Sequence, residues 1–329
     1  MRRLEGMFEI RPATPEDYPH LCDLYNEIEP EHFETPKEIL EEDRGREAHL
    51  LHAIFVALED NRIVGSAKYS QFAGMYHPRH FGVYIQTPHR FWESGVQDEL
   101  YTRLRHELEP HDPIRLLSTT RENRPRENRP HEIAWLERHG FTVKQRTWEM
   151  RLELNAFLPE TWINTLERVR SASYALKPLS AFEDTPEFRR ALYQCWLECR
   201  RDVPRPGTTT EPSFEQFSHR EFGSAYLARD GYWVAVAPDG ELVALSALWK
   251  TEETGVLYTG LTGTARSHRQ TGLGLALKVA SLEWAKRAGY TRIVTWNEQG
   301  NETILAINVR LGFAQRPAWI DYTLTLREE

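Results

Sequence analysis

The chain has only three cysteines among 329 residues: Cys22, Cys195 and Cys199. So few thiols, without close-set pairs, exclude a disulfide-stapled scaffold and read as a reducing compartment. Cys195 and Cys199 stand four apart on a predicted helix, yet no His or further Cys lies at ligand spacing beside them, so no metal site is expected. A surplus of basic charge is also missing. Lys and Arg number 41 against 49 Asp and Glu, a formal charge of −8, and a pI near 5.9 argues against a nucleic-acid partner. An acidic surface attracts cationic amines, although net charge says little about any one pocket. No apolar run approaches the roughly 20 residues that cross a bilayer. Met1–Ile10 carries charge in place of the apolar core of a secretion signal. The reading is a cytoplasmic protein with no membrane partner.

At roughly 100–200 residues per domain, the length suggests two domains, and the chain repeats itself loosely. Phe8-Glu9-Ile10-Arg11-Pro12 is echoed by Tyr174-Ala175-Leu176-Lys177-Pro178, each a short strand closed by proline. An amphipathic helix follows each, over Pro15 to Ile28 and Pro186 to Arg200. Two hairpins come next: Ala53 to Leu58 with Ile63 to Tyr69, and Trp233 to Val236 with Leu242 to Trp249. His139-Gly140-Phe141 and Leu311-Gly312-Phe313 each end a helix and open a strand, with Leu154 and Leu326 standing thirteen residues after the two Phe. Echoes in fixed order argue for duplication of a whole domain. The copies are placed at 8–154 and 174–329, with 155–173 as a short helix and linker. Arg121 to Pro130 is a direct five-residue repeat whose prolines and charges forbid a regular element. It reads as an extended solvated loop.

The second copy reads strand, helix, helix, three strands, helix, strand, helix, strand. Mixed strands with helices on both faces make an α/β (α+β) sheet fold. Within it, Gly255 to Thr264 is a strand that runs into Ala265-Arg266-Ser267-His268-Arg269-Gln270-Thr271-Gly272-Leu273-Gly274-Leu275, a basic, glycine-containing loop that opens a helix. A helix start leaves backbone N–H groups without partners, and its dipole favours an anion there. Gly272 and Gly274 remove Cβ atoms that would keep a bulky anion from the backbone. No Gly-Lys-Ser/Thr follows, so this is not a P-loop, and the glycine spacing is not that of a dinucleotide fingerprint.

The spacing Arg-x-x-Gly-x-Gly at 269–274 resembles the acyl-CoA loop of the GNAT superfamily of N-acetyltransferases. Asn301 and the Leu311-Gly312-Phe313 ending match that superfamily's later motif in the right order. The resemblance covers the second copy and, more weakly, the first. It implies two tandem GNAT-like domains, each a mixed, splayed central sheet flanked by helices. Acetyl-CoA would be the acyl donor and a small-molecule amine the acceptor, with no metal. The backbone of Thr262, Gly263 and Thr264 would pair with the pantetheine arm as a further strand. The amides of Arg269, Gln270, Thr271, Gly272, Leu273 and Gly274 would hold the pyrophosphate, and Asn301 would bond the arm near the thioester. Asn301 is equally a good helix N-cap, and Gly312 reads as a left-handed C-cap with Phe313 entering the core.

Two positions depart from the family's pattern. Where many members carry a Tyr that protonates the leaving thiolate, this chain has Asn308, which has no useful proton to give. Where several members carry a basic Glu on the strand, this chain has Tyr258, a poor base with an ordinary pKa of about 10. Direct attack of an amine on a thioester needs modest help beyond orientation and stabilisation of the carbonyl oxygen by backbone N–H groups. Glu211, His219, Glu252 and Glu253 are further candidate bases; Glu252 and Glu253 read more readily as solvated, and His219, able to face an acceptor pocket, more readily as a surface helix position. Trp233, Trp249, Tyr258 and Trp296 read more readily as core than as pocket. In the first copy, aligning Gly95 with Gly272 puts Trp92 at the Arg269 place and Gln97 at the Gly274 place. That bulk predicts a lost coenzyme site, with rescue of phosphate contact by the charge of Arg90 as the lesser reading. The leading function is N-acetyl transfer by the second copy. The alternatives are a non-catalytic acyl-CoA-binding sensor or scaffold, and a protein or peptide N-acetyltransferase. A fused pair satisfies by itself the interface that single-domain relatives obtain by dimerising, so a monomer with pseudo-dimeric domains is expected.

Overall fold

The computed structural model describes residues 8–30, 33–122, 129–203 and 210–328. Of the repeated loop 121–130, residues 123–128 lie outside the described residues. In chain order the elements are β1 (Glu9–Pro12), α1 (Tyr18–Ile28), α2 (Pro36–Gly45), β2 (His52–Glu59), β3 (Arg62–Ser70), β4 (His80–Gln86), α3 (Val96–Leu108), β5 (Arg115–Arg121), α4 (Arg129–Arg138) and β6 (Thr142–Glu153). There follow α5 (Ile163–Ser171), β7 (Ala175–Pro178), α6 (Pro186–Arg200), α7 (Phe214–Gly223), β8 (Trp233–Val236), β9 (Leu242–Lys250), β10 (Val256–Thr264), α8 (Leu273–Arg287), β11 (Arg292–Glu298), α9 (Glu302–Arg310) and β12 (Ala314–Thr325). From β7 onward this is the element order read from the sequence.

The chain forms two compact units, and sheet membership follows a different division from the halves 8–154 and 174–329. The first unit runs to Arg146 and includes the C-terminal segment from Pro317; the second takes Thr147 to Arg205 and Glu211 to Arg316. The first unit's strands run in the order β1-β2-β3-β4-β5-β12, with Trp319–Thr325 of β12 antiparallel to Arg121–Arg115 of β5. The second unit's run β6-β11-β10-β9-β8-β7, with Thr147–Glu153 of β6 antiparallel to Glu298–Arg292 of β11. Each sheet is thus finished by the last strand of the other repeat. Both sheets are mixed: β4 pairs β5 and β10 pairs β11 in parallel, whereas β2 pairs β3 and β9 pairs β10 antiparallel.

Each unit buries its own core. In the first, Leu100, Leu104 and Leu108 of α3 pack with Phe55, Phe81, Leu116 and Tyr322. In the second, Val279 and Leu282 of α8 pack with Leu152, Leu257, Ile293 and Phe313. A further cluster joins Trp196 of α6, Phe217 of α7 and Tyr232. The three cysteines are buried and unbridged. Among the described residues, no helix is long and apolar enough to cross a membrane.

The repeats share their helix stops. Gly312 has φ +92°, its N–H donates to Val309 O at 3.0 Å, and the Phe313 N–H reaches Asn308 O at 3.0 Å. Gly140 has φ +82°, with the corresponding bonds to Glu137 O and from Phe141 to Leu136 O, both 3.0 Å. Both are Schellman caps. A Cβ on Gly312 would meet nothing closer than Leu152 Cδ1 at 3.6 Å, so the glycine is needed for its backbone angle and not for room. Gly312→Ala is expected to cost about 1–2 kcal/mol, read as a lowered melting temperature with an unchanged far-ultraviolet spectrum.

Candidate functional site

The site begins with a strand that leaves its neighbour. β10 pairs in parallel with β11 at Val256, Leu257 and Tyr258, opposite Arg292, Ile293 and Val294. On its other edge it follows β9 to Thr259, slips register, and resumes at Thr262 opposite Ser246. Gly260 and Leu261 together face the single residue Ala247 of β9, a β-bulge of one extra residue that bends the strand. Gly260 is there for room: a Cβ would come within 2.5 Å of Trp249 Nε1. Beyond the bulge β10 and β11 part, and a cleft of about 420 Å³ opens between them. Thr259, Gly260, Leu261 and Thr262 form one wall, and Thr295, Trp296, Asn297 and Glu298 the other.

Past the bulge, Thr262, Gly263 and Thr264 stay tied to β9, with a hydroxyl contact of 3.1 Å between Ser246 and Thr262. Gly263 fits because a Cβ there would lie 2.5 Å from Cys199 Cβ and 3.2 Å from its Cα and O. The strand then turns through Arg266–His268 into the loop, where the Thr271 hydroxyl donates to His268 O at 2.6 Å. Gln270 (φ +65°) and Gly272 (φ +89°) are both left-handed. Gly272 is the N-cap of α8 and supplies no side-chain oxygen, so the first N–H groups of that helix are left for another acceptor. A Cβ on Gly274 would meet only Thr264 Oγ1, at 3.6 Å.

Three guanidinium groups surround this helix start. Arg269 pairs with Asp202 and donates from Nε to Thr264 O at 3.2 Å. Arg266 bonds the same carboxylate, Nη2 to Oδ1 at 2.5 Å. Hydrogen bonds from both hold the Asp202 carboxyl far below the usual carboxylate range. Arg168 of α5 reaches the loop from the linker: its Nη2 would lie 2.2 Å from a Cβ on Gly272. Nothing in the local sequence of the loop signals Arg168.

Asn301 occupies the N-cap position of α9 with φ −89° and ψ 61°, but its side chain makes no capping bond. It lines the cleft instead. Asn308 is fully buried on α9, and its Nδ2 donates to Asn297 Oδ1 at 2.6 Å. It is therefore held behind Asn297, which faces the cleft. Tyr258 is half-buried, packs edge-on against Trp296 with centroids 4.8 Å apart, and does not line the cleft. Trp249 and Trp296, read as core, do line it, because the bulge and the parting strands uncover their faces. The other candidate bases stand elsewhere: His219 is exposed, Glu211 meets Arg201 at 3.3 Å, Glu252 accepts from the Tyr226 hydroxyl, and Glu253 faces Arg292 at 3.6 Å.

The cleft holds charged groups that the sequence reading missed. Glu221 of α7 is 2 % exposed and accepts from Arg220 Nε at 2.9 Å; burial pushes its carboxyl upward. Arg200 of α6 is buried over the Trp196 ring. Lys278 of α8 is 3 % exposed, and burial brings its ammonium down to about 7. Among the described residues it has no ion pair. Its one sequence signal is isolation: a lone cation inside Leu273-Gly274-Leu275-Ala276-Leu277-Lys278-Val279-Ala280.

The first unit has the same framework without the opening. β4 pairs β5 in parallel only at His80, Phe81 and Gly82, and Gly95 (φ +84°) is the N-cap of α3, as Gly272 is of α8. Between them, Tyr101, Trp135, Leu136 and Phe141 leave only about 10 Å³. Trp92 turns its Nε1 back to Thr87 O at 3.0 Å, and Arg90 is paired with Glu27.

A bulged strand parting from its parallel neighbour beside an uncapped, arginine-flanked helix N-terminus is the central feature of this α/β unit. The family model described as Acetyltransferase (GNAT) family matches residues 189–313. Over 127 residues the chain is 30 % identical to aminoglycoside N(6')-acetyltransferase type 1 of Klebsiella aerogenes, covering 36 % of this chain and 82 % of that protein. The chain belongs to the GNAT acetyltransferase family. Two solved structures share the fold along nearly its whole length. A tandem GNAT protein from the clavulanic acid biosynthesis pathway has TM-score 0.75 and 20 % identity, covering 98 % of this chain and 99 % of its own. A GCN5-related N-acetyltransferase from Sphaerobacter thermophilus has TM-score 0.70 and 18 % identity, covering 98 % and 96 %. The tandem plan and the mixed, splayed sheets expected from the resemblance are both present.

Lys278 gives a pH dependence whose sign is the reverse of a paired lysine. Its ordinary value of 10.5 falls to about 7 on folding, so the unfolded chain binds the extra proton between those limits. Its penalty on stability is complete below pH 7 and fades as pH rises towards 10.5. Lys278→Met should therefore raise stability, by on the order of a few kcal/mol near pH 6. The gain should shrink on going to pH 10, as read from denaturant midpoints at a series of pH values.

Proposed function

We propose that the second unit transfers an acetyl group from acetyl-CoA to the amine of a small molecule. The observation that carries this is the cleft between β10 and β11 leading to the uncapped start of α8. A donor with a diphosphate at one end and a narrow arm at the other matches both parts. The N–H groups opening α8, with Arg168, Arg266 and Arg269, would hold the diphosphate. Thr262, Gly263 and Thr264 would pair with the arm along the edge that β11 has left, and Asn301, free of capping, would bond it further in. Acetyl-CoA supplies an activated acyl group.

The acceptor would enter beside Trp196, Arg200, Arg220 and Glu221, which line the same cleft. The aminoglycoside acetyltransferase likeness supports a small amine over a protein terminus. Direct attack suits this cleft: neither Tyr258 nor Asn308 reaches its wall, so neither is assigned a proton here, and orientation carries much of the rate. The first unit, with its core filled at the corresponding place, would serve as scaffold. The alternative, a sensor that binds acyl-CoA without turnover, draws on the same displacement of Asn308 behind Asn297.

Calorimetric titration with acetyl-CoA should give one site per chain. Arg269→Glu combined with Gly272→Trp should abolish it while the protein stays folded by circular dichroism. Two sites per chain would place a working cradle in the first unit as well. No binding at millimolar ligand would overturn the proposal. Release of free thiol on adding a panel of small amines separates the enzyme from the sensor.

A further inference from the structure

We propose that Lys278 is a catalytic residue of this site, giving a proton to the sulfur that leaves as the amine attacks. The proposal rests on the coenzyme reading above. It begins with a vacancy in the family's pattern: the residue four before Gly312 is Asn308, which is short, buried and tied to Asn297. An amine reaches the cleft from another helix. Lys278 Nζ stands 5.3 Å from the centre of the Phe313 ring, and the Phe313 N–H is bonded to Asn308 O. Lys278 and Asn297 line the same cleft.

Helix geometry puts the amine at the right depth. Gly274 stands beside Thr264, whose Oγ1 would lie 3.6 Å from a Cβ there, and Lys278 is four residues further on, about 6 Å along α8 at 1.5 Å per residue. β10 runs up to the loop and α8 runs back from it. A return of about 6 Å matches about two strand residues, from Thr264 to Thr262 beside the bulge. The helix whose start would hold the diphosphate thus brings an amine towards the level at which β10 and β11 part.

The fold itself does not ask for lysine here. Six residues after Gly95, the first unit has Tyr101, packed among Trp135 and Phe141. A buried ammonium without a carboxylate lowers stability, so an apolar residue would serve packing better. The other charged groups facing the cleft are Arg200 of α6, Arg220 and Glu221 of α7, and Glu298 at the end of β11. Glu221 is engaged by Arg220.

The step balances without another reagent. The amine nitrogen bonds the carbonyl carbon, the carbon–sulfur bond breaks, and sulfur takes the electron pair. Lys278 Nζ gives sulfur a proton and becomes neutral, then recovers one from the nitrogen that attacked. Amine and thioester become amide and thiol. A group whose acidity lies near neutrality exchanges protons in both directions.

The test titrates the thiol of bound CoA by its thiolate absorbance in wild type, Lys278→Met and Lys278→Arg, beside steady-state kinetics with acetyl-CoA and a turned-over amine. A thiolate beside Nζ holds there the proton that burial would otherwise drive off, so the bound thiol should ionise at lower pH in wild type than in Lys278→Met, by about one unit. Lys278→Met should lose about 100-fold in kcat, with acetyl-CoA affinity within about threefold and melting no lower than wild type. Lys278→Arg should restore the thiol shift but not kcat, because guanidinium does not release its proton. Equal thiol titrations in wild type and Lys278→Met would overturn the proposal by showing that Nζ does not face sulfur. Recovery of kcat by Lys278→Arg would overturn it by showing that charge alone suffices. Failure of the coenzyme reading would appear separately, as no CoA binding by wild type, and would take the proposal with it.

Discussion

The parting of β10 from β11 after Tyr258 and Val294 is the constraint on which the rest of the second unit depends. Backbone N–H and C=O groups inside a sheet are normally paired. Here the edge of β10 from Thr259 onward has β9 on one side and a cleft on the other. The bulge at Gly260 and Leu261 makes that possible, and Gly260 in turn depends on its missing Cβ beside Trp249. At the far end Gly263 must be glycine because α6 passes over it at Cys199. The open edge is thus held on a frame that leaves little freedom, as the proposed pairing of a ligand arm with backbone would require.

The two units show how one framework yields an open cleft or a filled one. Glycine caps, parallel strand pairs and helix starts recur at corresponding places. What differs is side-chain volume and polarity. Leu136 and Tyr101 of the first unit stand where the second has Asn308 and Lys278, and the cavity falls from about 420 to about 10 Å³. Close packing explains the economy of the change: a few aromatic rings close a gap that leaves the backbone plan intact.

Charge is distributed in the second unit by function of place. At the loop, Asp202 holds Arg266 and Arg269 near the helix start while Arg168 approaches from the linker. These groups are largely exposed, so their pairs add little to stability, and their arrangement matters for the ligand they would meet. In the cleft, Lys278 and Glu221 are buried, and burial moves each towards its neutral form. Such displaced acidities in a concave site are the expected mark of a functional surface.

Period, caps and glycine spacing are local properties, and so the sequence by itself determined the element order, the duplication, the two Gly-Phe helix stops and the loop at 269–274. Gly95 and Gly272 were alignable because each opens a helix from a left-handed turn. Tertiary structure decided the rest. The last strands, around Leu154 and Leu326, have interchangeable alternation, so only three-dimensional pairing shows that each completes the other repeat's sheet. The capping reading of Asn301 failed because its side chain turns to the cleft, a choice made by long-range packing. Lys278, Glu221 and Arg168 gain their places from helices that meet across tens of residues. Burial, which sets their chemistry, is a property of the assembled unit and of no local stretch of sequence.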